Sequence, residues 1–318
     1  YVQKLVSTHK RKIEAFEKFQ EKYWQDQLNS HKFKVNDKIY ERDYRLDNRG
    51  ILSAVGQRND EDKRIGKWTF FYASGQVRAE TEYNDEGKLT GQNTWYAEDG
   101  YVKESGVYED GKLNGFAYFT RADGTATYDG VFKDNKLEGE VKIYTDEGIL
   151  QWIKMFKDNK VNGTVQEFYE NGKLATTFNV KEGEREGKLV VVSASGDTVK
   201  VKSYSKGKPV GAYKEYYLNG SVMTKGQYKS GKRNGRWVDY YYDGNIAFKY
   251  GYKAGSLHGD YVKFTSEGDT ILHKEYLNGI LNGVDKDYIE NNRILWEHVF
   301  KNGKLKKYYN YSPDGELI

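Results

Sequence analysis

Along most of the chain, short runs rich in Tyr, Phe, Val and Ile alternate with breaks built from Gly, Asn and Asp. The alternation holds a period of 24 residues. Gly91, Gly115, Gly139 and every 24th residue to Gly283 form one glycine series. A second series lies nine residues behind the first, from Gly100 to Gly268 and then Asn292. A third lies twenty residues behind it, from Gly111 through Asn135 and Asn159 to Gly303. Gly66 and Gly75 carry the pattern one unit earlier, with one extra residue before Gly91. Between the breaks the apolar positions also keep phase. Phe71, Tyr96, Tyr144, Phe168, Tyr216 and Tyr240 each lie five residues after a first-series glycine. Val77, Val102, Leu150 and Val222 lie eleven after it, and Tyr83, Tyr108, Phe132, Tyr228 and Tyr252 seventeen after it. Such segments are too short for helices and rich in strand-forming residues. Gly and Asn share the third series because both enter the left-handed region readily, as a tight hairpin turn demands.

The pattern predicts an all-β chain, an elongated, twisted antiparallel array of about ten β-hairpin units of 24 residues. Strand spacing gives such a rod a length of roughly 100 Å. The glycines read as turn geometry and the aromatic ladders as the cohesion between units. Repeat arrays need atypical ends. Residues 1–34 carry no repeat; Leu5, Ile13, Phe16, Phe19 and Tyr23 recur near helical spacing, so an N-terminal amphipathic helix is expected there, covering the first sheet edge. Residues 35–65 read as a degenerate capping repeat, 66–306 as the array, and 307–318 as a partial C-terminal cap.

Composition sharpens this picture. Only 37% of the residues are hydrophobic, yet 29 are Tyr, which suits a thin structure with much surface rather than a thick core. The 34 Gly and 2 Pro favour many tight turns with few interruptions of strand pairing. Cysteine is absent, which removes disulfides and thiolate chemistry. No run of 18 apolar residues occurs, so no membrane-spanning helix is expected. The net charge of +4 is too small to argue for nucleic acid as a partner. The chain opens on Tyr1 rather than Met, which points to an upstream segment removed and places the cell envelope or exterior ahead of the cytoplasm.

Written as one line, the unit is G-x-(W/Y/V)-x-x-(Y/F)-x-x-x-G, about seven residues, then (Y/F)-x-x-G. Gly235, Trp237, Tyr240, Gly244, Tyr252 and Gly255 make a good copy. This resembles the MORN repeat over residues 66–306, and more closely the bacterial variant in YwqK-type antitoxin proteins, although its 24-residue spacing is one longer than usual. The resemblance implies a hairpin array serving as a non-enzymatic scaffold that binds another protein, with an antitoxin or immunity protein as one alternative. Gly211, Tyr216, Tyr217 and Gly220 are also similar to the glycine–aromatic repeats of choline- or glucan-binding modules, which implies a cell-wall or carbohydrate ligand instead. Peripheral membrane contact through the first segment is a further option.

Catalytic chemistry finds no foothold. His258, His273 and His298 stand at different phases, with the last two expected on opposite faces, and His9 and His31 lie outside the array. Ser193 and Ser195 have no nucleophile-elbow pattern around them. No catalytic residue, metal ligand or cofactor site is therefore assigned. Two sets of contact candidates remain. Tyr72, Tyr169, Tyr217 and Tyr241 directly follow ladder rings and, with Trp237 and Tyr242, form a candidate contact strip. Lys112, Lys136, Lys160, Lys208, Lys232 and Lys304 recur in the third-series turns and mark a basic edge, opposite turns carrying Asp99, Asp123, Glu147, Asp243 and Glu267.

Overall fold

The computed structural model describes the backbone of residues 30–35, 38–44 and 52–318, and side chains from residue 53 onward. The chain divides into two compact units, Tyr1–Gly111 and Lys112–Ile318. Within each, consecutive strands pair antiparallel with their sequence neighbours, so each unit is an open meander. Among the described residues the only helical element is the single turn Glu290–Asn292. The expected N-terminal helix falls mostly outside the described residues. Its last part is corrected: Ser30–Val35 is a strand paired with Lys38–Tyr44.

Two kinds of turn alternate, which puts them on opposite edges of a meander. At the third-series turns both central residues have positive φ, as in Asp134 (50°) with Asn135 (65°) and Ser230 (49°) with Gly231 (85°). That is the two-residue turn whose twist matches the strands it joins. At the second-series turns, Gly220 N–H donates to Tyr217 C=O at 3.0 Å, and Tyr217 N–H to Ser221 C=O at 2.9 Å.

The first-series glycines are not turns, contrary to expectation. Gly139 lies inside the strand Lys136–Tyr144 with φ of 90°. Leu137 pairs with Phe132 and Val141 with Gly130, so Glu138, Gly139 and Glu140 together face only Val131. This is a bulge, and its positive φ is why glycine stands there. The seventeenth-residue aromatics answer it on the next strand: Gly139 pairs with Phe156, Gly211 with Tyr228 and Gly235 with Tyr252.

The most buried ladder lies two residues beyond each bulge glycine. In the first unit it holds Trp68 and Asn93; in the second it holds Ala117, Val141, Val165, Leu189, Tyr213 and Trp237. The polar member is satisfied: Asn93 accepts from Glu82 N–H at 2.9 Å and donates to Thr90 C=O at 2.9 Å and Gly91 C=O at 3.0 Å. Space for the large members comes from the preceding strand. A methyl group at Gly226 would fall within the Trp237 ring, and one at Gly56 within the Trp68 ring. Around Trp237, Tyr213 and Tyr228 stand with centroids at 5.3 Å, and the Arg233 guanidinium lies 4.3 Å above the indole.

Candidate interaction surface

The candidate tyrosines occupy the first position of the second-series turns, and their hydroxyls reach the neighbouring repeat. Tyr169 donates to Val192 C=O at 2.8 Å, Tyr217 to Tyr240 C=O at 2.8 Å and Tyr241 to Phe264 C=O at 2.7 Å. In the first unit Tyr72 donates to Tyr96 C=O at 2.7 Å. Every acceptor belongs to the ladder five residues after a bulge glycine, where the strand register shifts beside the turn. These four rings are half-buried and stitch one repeat to the next. Arg121 takes the same position, donating to Tyr144 C=O at 3.3 Å and pairing with Asp146 at 3.2 Å. A cation thus stands on the edge whose turns carry Asp123 and Glu147.

Trp237 does not belong to an exposed strip, since it is 0% exposed at the centre of the aromatic cluster. It packs edge-on against the ladder rings Tyr228 and Tyr252, at 5.3 and 6.3 Å. Tyr242 is the open member of the set at 61% exposure, set edge-on against Tyr217 at 5.3 Å and accompanied on that edge by Leu218 at 70%.

The basic edge is partly neutralised. Lys112 Nζ binds Asp134 at 3.0 Å and Lys136 Nζ binds Asp158 at 3.0 Å, each reaching the next turn of the same edge. The lysines hold both carboxyls below their ordinary range. Backbone groups are capped there too: Glu138 accepts from Asp158 N–H at 3.0 Å and Glu186 from Lys206 N–H at 2.8 Å. Lys160, Lys208, Lys232 and Lys304 are exposed, and none forms an ion pair among the described residues.

Clefts open between rings in both units. In the first unit a cleft of about 340 Å³ is lined by Phe70, Tyr72, Arg78, Tyr83, Trp95 and Lys103. The Thr81 hydroxyl on its wall is buried without a hydrogen-bond partner. In the second unit a cleft of about 460 Å³ is lined by Trp152, Lys154, Lys160, Phe178, Val180 and Glu182. Among the candidates, Tyr72 lines the first of these clefts and Lys160 the second. Trp95, Trp152 and Lys154 stand outside the shared ladders, so the repeat phase carried no sign of them, whereas Tyr83 is itself a ladder ring.

Burial and neighbouring carboxylates hold several ring hydroxyls in their neutral form. Burial, then the bond to Glu80, raises Tyr96 to about 12. Burial followed by Glu215 raises Tyr213, and burial followed by Asp239 raises Tyr250. Phenols held in their neutral form donate hydrogen bonds.

Residues 64–85, 161–182 and 209–230 match the MORN repeat variant. Each match opens two residues before a bulge glycine, at Gly66, Gly163 and Gly211, so the three fall in one phase of the same unit. MORN repeats are commonly protein- or membrane-binding scaffolds. No curated protein matches the chain.

Proposed function

We propose that this chain is a non-enzymatic scaffold that binds another protein through the ring-lined face of its sheet. The observation carrying this reading is the pair of clefts whose aromatic walls are flanked by Arg78 and Lys103 in one unit and Lys154 and Lys160 in the other. Such walls suit a partner segment with an apolar or aromatic side chain beside a carboxylate. The MORN-variant matches support the scaffold class. An antitoxin or immunity protein is a narrower form of the same reading, in which the partner is a toxin.

Affinity capture from the native cell, with wild type and a Lys154→Glu/Lys160→Glu variant compared by mass spectrometry, tests the reading. A protein retained by wild type and lost by the variant supports it. Identical capture by both, or glycan retention in place of protein, overturns it.

A further inference from the structure

The sheet register assembles three metal-ligating side chains that lie apart in sequence. On the strands Ser256–Phe264 and Thr270–Leu277, Asp260 pairs directly with Glu275, and Val262 pairs with His273. Residues two apart on a strand share a face, so all three side chains project to one side. Their ligand atoms lie within 4.8 Å of one another. His273 Nε2 stands 2.8 Å from Asp260, and Glu275 accepts from Val284 N–H at 3.0 Å.

Two features set this cluster apart from a solvated charged face. Carboxylates directly opposite each other on paired strands repel, and a sheet ordinarily avoids that pairing. The cluster is also confined to one repeat. One unit earlier the same three positions hold Arg236, Lys249 and Gly251, and one unit later Val284, Glu297 and Val299. The ligands therefore come from positions that the fold leaves free to vary. Lys286, paired with His273 across the next strand, is engaged by Glu297 at 2.9 Å.

We propose that Asp260, His273 and Glu275 bind a divalent transition-metal ion, zinc in the first instance. One imidazole and two carboxylates form a borderline donor set that suits zinc better than calcium or magnesium, which favour all-oxygen shells. Two carboxylates and a neutral imidazole balance the charge of the ion. The ion takes the place of the His273–Asp260 hydrogen bond, and water completes the shell. The Val284 N–H orients the Glu275 carboxylate from outside, as supporting groups at metal sites do. The ion would clip together the two strands of one hairpin.

The test is isothermal titration of the untagged, chelator-stripped full chain with zinc chloride, repeated with cobalt chloride to read the visible ligand-field band. About one zinc per chain is expected, with affinity falling about tenfold or more in Asp260→Asn and in His273→Gln. His298→Gln should bind as wild type does, since that imidazole stacks on Trp296 on the opposite face, at 4.4 Å. Asp260 is 68% exposed, so its substitution leaves the sheet intact. Absence of saturable binding at sub-millimolar zinc overturns the proposal, as does binding unchanged in both ligand variants.

Discussion

The fit between Gly226 and Trp237 allows a sharp test of what holds the array together. Gly226 is not among the positive-φ residues, so alanine there meets no conformational penalty. Its effect is one of space alone, because the added methyl would enter the indole. Overpacking of this kind costs about 1–3 kcal/mol. Trp237→Ala, which empties a fully buried position, should cost about 3–5 kcal/mol. Elsewhere the protein solves the same cross-strand position with the sizes reversed: Phe178 stands at the phase of Gly226, and Leu189 at that of Trp237. Copying that pair, Gly226→Phe with Trp237→Leu, should cost the double variant about 1–3 kcal/mol, since the two side chains together are bulkier than the glycine and indole they replace. The single Gly226→Phe should be far worse than the double. Urea unfolding followed by far-ultraviolet circular dichroism measures wild type, the two alanine variants, the singles Gly226→Phe and Trp237→Leu, and their double, with the slope checked for each. If the two single effects add to within about 0.5 kcal/mol, the glycine is not making room for the ring and the packing argument fails.

Tyr217→Phe should cost about 0.5–1.5 kcal/mol in the same urea assay by removing the hydroxyl bond to Tyr240 C=O while keeping the ring. Ala254→Asn should stabilise by about 1 kcal/mol, since Ala254 holds φ of 50° in a turn where asparagine is at ease. Alkaline pH should unfold the protein. Tyr96 rises from 10.0 to about 12 on folding, and Tyr108, Tyr144, Tyr213 and Tyr250 rise as well. Their contribution is full below the unfolded value and falls as pH climbs from about 10 through the folded values. Circular dichroism recorded beside phenolate absorbance should show structure lost as the phenols ionise; structure retained after full ionisation would contradict this.

Much of the fold was legible because its signals are local. Gly alternating with Asn at Gly111, Asn135 and Asn159 announces positive φ wherever the residues around it lie. Lys206, Glu182 and Ala254 also adopt positive φ but carry no such sign, since the turn imposes it on them. Gly139 was legible as a special position but not as a bulge, because a bulge is a relation between two strands and the pairing is absent from a single line of sequence. The same limit hid the function of the tyrosines. Tyr217 announces an amphipathic ring, while its acceptor lies 23 residues away on the neighbouring repeat. Asp260 and Glu275 are fifteen residues apart, and only the register makes them neighbours.

The unequal pairs beneath the buried ladder bear on how the chain finds its register. Because the repeats resemble one another, a strand could pair with the wrong repeat, displaced by 24 residues, and still satisfy every turn and ring ladder. The seams are not interchangeable, however. Gly226 admits Trp237, Phe178 and Leu189 stand at those same two phases in an earlier repeat, and Lys274 reaches the buried Asp285 at 3.2 Å. A displaced pairing would set a ring against a ring or bury a carboxylate without its amine. Each seam thus carries an address, and these mismatches discriminate among near-identical hairpins competing for the same neighbour.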